Sequence, residues 1–371
     1  MNNKKKILLV VSDLHLGAGS FFEDGNRNYR EDFFHDFKFV EFLEFYRSGK
    51  YRNLSVELVI NGDFFEMHET GDYKEDPVKM TQDLALWRIK QIIKGHPALF
   101  AELRNFANSY KKAIILVNGN HDQSMLFPGV QEFLRRIIHP SLVFCGRSYS
   151  CADVYIEHGS QYFRASYFDY SNPFIRTDSG DIILNHDWGS IFSIRVLYKN
   201  KTKKHHPIWR AEPMAKFIMH IIKCDFFYLI KYSFSIISFL ILTSIFELKY
   251  NFSHARTTWD VIKGLSLNFS EVQKKEAGRI LNTSDYNIVI MGHVHSYNFM
   301  RFPNDKIYIN TGTLNKELNL SFDNYGSWRK FFYAFIEVSN QSSAYLKEWI
   351  GHRPDVTIYN ASRELDILRA V

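Results

Sequence analysis

Cysteine is scarce in this chain of 371 residues, with only Cys145, Cys151 and Cys224 present. They form neither a CxxC pair nor an even-numbered framework, which argues against a disulfide scaffold and a thiolate zinc knuckle and for a reducing compartment. Glycine and proline are thin too, at 19 and 9 residues. That is about 5% and 2.4%, against a usual roughly 7% and 5%, so a collagenous repeat and a low-complexity linker are excluded. What the chain does have is 46% apolar and 23% charged residues. This balance suits a buried core and excludes disorder as the main state. The length allows one large domain with an insertion, or two domains. The N-terminal lysines precede an apolar run, ILLVV, that stops after five residues at Ser12 and Asp13. That is too short for a secretory leader and reads as the first strand of a cytosolic protein.

The net charge of +6 is not spread evenly. Residues 187–260 hold eleven Lys or Arg against five Asp or Glu, and the rest of the chain holds 35 of each. The same stretch contains an uncharged run of 15 residues, 232–246, which becomes 21 residues with one lysine, Lys231, if extended back to Phe226. As helix, the longer segment reaches about 31 Å, enough for a hydrocarbon core of about 30 Å. Just upstream, Met214, Phe217, Ile218, Ile221 and Ile222 share one helical face, with Lys216, His220 and Lys223 on the other. With the basic cluster YKNKTKKHH before it, this stretch reads as a helical insertion that meets an anionic membrane surface, spanning it or dipping into it. The competing reading is a pair of helices packed on the protein body or on a second subunit.

Six short apolar runs stop abruptly at polar clusters: KILLVVSDLHLG, VELVINGDFFE, AIILVNGNHD, VYIEHGSQYF, NIVIMGHVHS and KIYINTGTLN. Each reads as a buried strand ending in a tight loop. Helical patterns lie between them at 32–47, 78–94, 97–110 and 129–138. This alternation predicts an α/β fold in which sheets form a sandwich covered by helices. After position 320, FFYAFIEV and SAYLKEWI read as a hairpin at the sheet edge. The expected division is a catalytic domain of residues 1–186 and 261–350, the insertion at 187–260 and a tail at 351–371.

The carboxyl ends of the strands are the usual ligand site in such folds. There the chain places Asp13 and His15, then Asp63, Asn120 and His121, His158, and finally His293 and His295. So many buried carboxylates and imidazoles would repel and desolvate one another unless cations neutralised them. In extended chain, residues i and i+2 point to one side, so the DxH and HxH pairs can each address one site. Oxygen and nitrogen donors without thiolates favour Mn²⁺, Fe or Zn²⁺ in a hydrolytic pair.

The ordered segments SDLH, GDFFE, GNHD, EHG and GHVH resemble the calcineurin-like metallophosphoesterase family, whose pattern is DxH, GDxx(D/E), GNH(D/E), a lone His and GHxH. The resemblance implies that family's αββα sandwich and hydrolysis of a phosphoester or pyrophosphate bond by metal-activated water. It implies that Asp13, His15 and His295 hold one of two divalent ions, Asn120, His158 and His293 the other, and that Asp63 bridges them. It further implies that His121 touches the substrate and that Asp122 orients it. Manganese is the expected metal, with iron or zinc as alternatives. Glu66 reads as loop support, and Asn310, Thr311 and Gly312 as a turn that shapes the site. His186 does not fit the pattern once His158 is used, and the remaining histidines, His68 and His96 among them, read as surface or structural. Arg164 is a candidate phosphate clamp, since guanidinium binds phosphate bidentately.

Within the family, SDLHLG, GDFFE and the helical insertion resemble UDP-2,3-diacylglucosamine pyrophosphatases, which act on a lipid at the membrane surface. Two departures stand out: that subgroup has Arg where this chain has His121, and its members are considerably shorter. The expectation is therefore a relative acting on a lipid-linked or membrane-proximal phosphoester at the cytoplasmic membrane face. The alternatives are a nuclease or nucleotide phosphodiesterase, whose basic insertion would track nucleic acid, and a non-catalytic scaffold of the same fold.

Overall fold

A computed structural model describes residues 6–22, 24–70, 76–201, 211–212, 214–246, 258–264, 268–315, 317–319, 326–328, 330–351 and 356–359. The lysine-rich stretch at 202–206 and the end of the tail at 360–371 lie outside the described residues.

In chain order, two large sheets use β1 (Lys6–Val11), β2 (Ser55–Asn61), β3 (Lys112–Val117), β4 (Val143–Phe144), β5 (Ser148–Cys151), β6 (Val154–Glu157), β7 (Ile288–Met291), β8 (Asn298–Arg301), β9 (Ile307–Asn310), β10 (Phe331–Val338), β11 (Ser343–Trp349) and β12 (Val356–Tyr359). The first sheet has seven strands in the order β12-β11-β10-β1-β2-β3-β4, and the second has five in the order β8-β9-β7-β6-β5. All six expected strands are present, and the expected hairpin is β10–β11, joined to the sheet by antiparallel pairing of β10 with β1.

Side chains alternate across a strand, so β1 serves two cores at once. Ile7, Leu9 and Val11, with neighbours on β2 and β3, pack against α1 (Asp36–Arg47), α2 (Gln82–Gly95), α3 (Pro97–Asn108) and α4 (Pro128–Ile137). Leu8 and Val10 point the other way, meeting Val154, Ile156, Ile288, Ile290 and Ile309 of the second sheet. Farther along, α5 (Trp188–Phe192), the single turn α6 (Tyr198–Asn200), α7 (Met214–Cys224), α8 (Phe226–Phe246), α9 (Thr258–Lys263) and α10 (Phe269–Thr283) follow. Ala277 and Leu281 of α10 cover the outer face of the second sheet through Val289, Met291 and Tyr308. The layers are helix, sheet, sheet, helix, the αββα sandwich.

Two helices begin later than their periodicity suggests, for local reasons. The pattern from 32 yields to α1 at Asp36 because the Glu31 carboxylate accepts from the backbone N–H groups of Asp32 at 3.1 Å and Phe33 at 2.8 Å, holding that turn out of the helix. The pattern from 78 yields to α2 at Gln82 because the Thr81 hydroxyl accepts from Leu84 N at 3.2 Å and caps it.

Asp187 caps α5 by accepting from Ser190 N at 2.9 Å, while its other oxygen accepts from Gln123 Nε2 of the body at 2.8 Å. A π-helical turn, Ser193–Leu197, then leads into α6. One stripe of α8 packs inward through Tyr232, Ile236 and Phe239 onto Ile191 and Val196. The opposite stripe, Phe227, Ile230, Phe234, Ile237 and Ile241, is exposed. Phe227 is 83% and Phe234 71% accessible, and Phe226–Ser244 combines a mean hydropathy of 1.7 with only 17% burial. On α7, Ile221 is buried but its face-mates Ile218 and Ile222 are exposed, as are His220 and Lys223.

Candidate metal centre

The polar clusters meet at the carboxyl ends of the strands. Asp13, His15 and His295 bring one ligand atom each within 4.8 Å of one another, and Asp63, His158 and His293 do the same. Oδ2 of Asp63 lies between the two groups, 3.1 Å from His158 Nε2 and 3.7 Å from His15 Nε2. His293 and His295 thus go to different groups, so the HxH pair does not serve one site. Nor is the chain extended there. Asp13, His15, Asp63, His293 and His295 all have left-handed backbones, with φ from 50° to 71°. Convergence comes from alternating turns past the strand ends, in a conformation costing about 1–2 kcal/mol per non-glycine residue. Gly119 is required by crowding, because a Cβ there would run into the Asp63 carboxylate.

Hydrogen bonds fix the ligand atoms. His158 Nδ1 donates to Asn61 O at 2.9 Å, leaving a buried Nε2 with no hydrogen-bond partner. Asn120 likewise buries an Oδ1 without a partner. His15 Nε2 stands 3.1 Å from His295 Nε2, while its Nδ1 is 2.9 Å from Glu66 Oε2. Asp13 accepts from Ser12 Oγ at 2.5 Å and from His293 N at 3.0 Å. The turn after β9 locks these loops together: Asn310 Nδ2 donates to Gly292 O at 2.7 Å, Thr311 Oγ1 lies 2.7 Å from Ser12 Oγ, and Gly312 N donates to Asn310 Oδ1 at 2.9 Å.

Orphaned nitrogen and oxygen donors facing buried carboxylates fit divalent cations. Nε2 lone pairs held 3.1 Å apart need a proton or a cation between them, and the Nδ1 partners of His15 and His158 fix those two rings for ligation. As protein groups alone, they perturb one another strongly. Burial pushes Asp13 up to about 6. Burial opposes ionisation of Asp63, but His158 and His121 hold it well below the usual carboxylate range. Burial disfavours charge on His158 too, yet Asp63 and Asp13 raise it to about 9. Burial, reinforced by charge on His158, drives His293 down to about 3.

One expected contact is different. Asp122 does not hold the His121 ring; its carboxylate accepts from Gly119 N at 2.6 Å and Phe64 N at 2.9 Å and shapes the loop beneath. The group bonded to His121 Nδ1 is Glu66, at 2.8 Å. Glu66 therefore does more than support a loop, since one carboxylate orients both His15 and His121, and these three form a further group of converging donors. Burial works against charge on His121, but Glu66 and Asp63 overcome it and raise the group to about 10. The visible signal for Glu66 was its place as the acidic residue ending GDFFE. Tyr198 was missed, and its hydroxyl donates to Glu66 Oε1 at 3.1 Å. Nothing in its local sequence marks it.

His68 and His186 are buried, and His68 lies between His121 and His186 in ring contact with both. The His68 ring centre is 4.7 Å from that of His121 and 5.7 Å from that of His186. His186 lies outside both donor groups of the centre. Arg164 is turned toward α9, donating to Asp260 O at 3.2 Å with its stem against Gly264. No described contact joins it to the centre.

A matching family model, described as calcineurin-like phosphoesterase, covers residues 7–310. The chain belongs to this family, which is dimetal-dependent, and is a metal-dependent phosphoesterase. No curated protein matches its sequence. Among solved structures, a dimetal phosphatase from Danio rerio is 11% identical over 95% of this chain and 98% of its own, with a TM-score of 0.38. Zinc-complexed Vps29 from Entamoeba histolytica is 9% identical over 94% and 98%, with a TM-score of 0.31. The phosphoesterase YfkN from Bacillus subtilis is 12% identical over 98% and 96%, with a TM-score of 0.32. Membership rests on the family match.

Proposed function

We propose that this chain hydrolyses a phosphoester or pyrophosphate bond in a lipid-linked or membrane-proximal substrate, at the cytoplasmic face of a membrane. The chemistry is carried by the position of Asp63 Oδ2 between the His15 and His158 nitrogens. Asp13, His15 and His295 would hold one ion, Asn120, His158 and His293 the other, and Asp63 both. Manganese suits this thiolate-free set of carboxylate, amide and imidazole donors. Bound there, the ions supply charge to the phosphoryl oxygens and lower the pKa of the attacking water. His121 serves the leaving group: Glu66 occupies its Nδ1, so Nε2 is the end that meets the departing oxygen and passes it a proton. Ser12 and the backbone of His293 hold Asp13 in place throughout.

The membrane reading is supported by α8. A helix of 21 residues with one stripe seated and the opposite stripe bare has the length and the apolar face that a lipid phase would cover. The exposed Lys223 of α7 adds charge suited to anionic headgroups. The test is a substrate panel for the Mn²⁺-loaded chain: bis-p-nitrophenyl phosphate, nucleotides, single-stranded DNA, and a lipid pyrophosphate in anionic vesicles. Turnover should be fastest on the vesicle-borne lipid. A protein that ignores vesicles, prefers nucleotides and binds DNA with steep salt dependence would defeat this reading.

A further inference from the structure

We infer that Tyr198 is a positioning residue through which the apolar insertion sets the orientation of His121. This rests on the proposed role of His121 above and adds a dependence on α8. The turn carrying Tyr198 grips the loop after β2 at two points spaced three residues apart on each side. Tyr198 Oη donates to Glu66 Oε1 at 3.1 Å, and Lys201 Nζ donates to Glu69 Oε2 at 2.8 Å and to Asp32 Oδ2 at 2.9 Å. The first rung reaches the chemistry directly, because Glu66 also binds His15 Nδ1 and His121 Nδ1, and Tyr198 Oη itself lies 3.4 Å from His121 Nδ1.

The other side of the turn faces α8. Val196 and Ile191 pack with Tyr232 and Phe239 in one small cluster, and the Phe239 ring centre is 5.3 Å from those of both Trp188 and Phe192. The turn between is π-helical, a rare geometry found mostly as single turns and often at functional sites. A shift of α8 therefore moves Val196, then Tyr198, then the Glu66 carboxylate that aims His121. The first rung joins the Tyr198 hydroxyl to a buried carboxylate that also holds His15 and His121, so its loss is large enough to read in turnover.

The experiment uses the full Mn²⁺-loaded chain and bis-p-nitrophenyl phosphate, a substrate that needs no lipid. Tyr198→Phe keeps the ring and removes the donor. It should lower kcat about ten-fold, the worth of about one buried hydrogen bond, with KM, bound manganese and thermal midpoint unchanged. Phe239→Leu should lower kcat in the same direction, and by less in the Tyr198→Phe background than in wild type. Unchanged kcat in Tyr198→Phe, strictly additive losses, or loss of manganese along with activity would each overturn the inference. A wild type that binds manganese yet leaves the ester intact would overturn the functional reading as well, whereas an active wild type beside an equally active Tyr198→Phe would overturn this inference alone.

Discussion

The rim of strand ends and the long helix α8 are held by opposite means. At the rim, buried polar groups are tied to several partners each: Glu66 accepts from His15, His121 and Tyr198, and Asp13 from Ser12 and His293. On α8, one stripe meets a small apolar cluster and the opposite stripe is exposed. The contrast separates two tasks. Ligand geometry tolerates errors of only a few tenths of an ångström, so it sits on short loops anchored in two cores. Under the membrane reading proposed above, reaching a substrate tolerates far more, and a thinly seated helix would suffice.

If the rim is as tightly coupled as its bonds indicate, single changes there should be drastic. Asp63→Ala removes the oxygen between the two groups and should cost both metals and at least about 100-fold in turnover. Elemental analysis showing two retained ions would break the comparison at its strongest point. His121→Asn should leave metal content intact and lower kcat by about 10²–10⁴, the usual worth of a positioned proton donor; joint loss of metal would make His121 a ligand. On α8, Phe234→Asp should weaken binding to anionic vesicles about ten-fold or more, the cost of withdrawing one large apolar side chain, while turnover of a soluble ester is unchanged. Equal vesicle binding would move the exposed stripe to a protein partner.

The smallest effect concerns the body beneath the rim. His96 is buried between Asp36, 2.8 Å from its Nδ1, and Glu31, 3.5 Å from its Nε2. Burial disfavours its charge, but the two carboxylates prevail and raise it to about 9. A raised pKa means that the stabilisation is complete below about pH 6.5 and disappears as pH rises through about 9. The thermal midpoint of wild type should exceed that of His96→Gln by a few degrees at pH 6, with the gap closing by pH 10. A gap independent of pH would show that the imidazole fills space without carrying charge.

Much of this was legible in the linear pattern. Runs such as AIILVNGNHD announce both a strand and what its end presents, because backbone period and ligand chemistry are written in neighbouring residues. The bonds made by Glu66, the role of Tyr198 and the burial of His68 and His96 were not legible in that way. Their partners come from across the fold: Glu66 meets His15 across 51 positions and Tyr198 across 132. Nothing in the nearby sequence encodes such distances. The role expected of Asp122 failed for a related reason. Adjacency along the chain suggested that it faces the His121 ring, but the loop turns its carboxylate inward to backbone N–H groups.

The left-handed backbones of Asp13, His15, Asp63, His293 and His295 carry a consequence for anyone selecting hardier variants. Glycine would relax the chain at each of these five positions while deleting a donor. Survival of heat and survival of chemistry therefore pull in opposite directions at the same residues. A screen that scores only solubility after heating, without divalent cations present, should drift toward glycine at His293 and His295, whose rings hold the fewest structural bonds, and enrich a sturdier protein that has lost its trade.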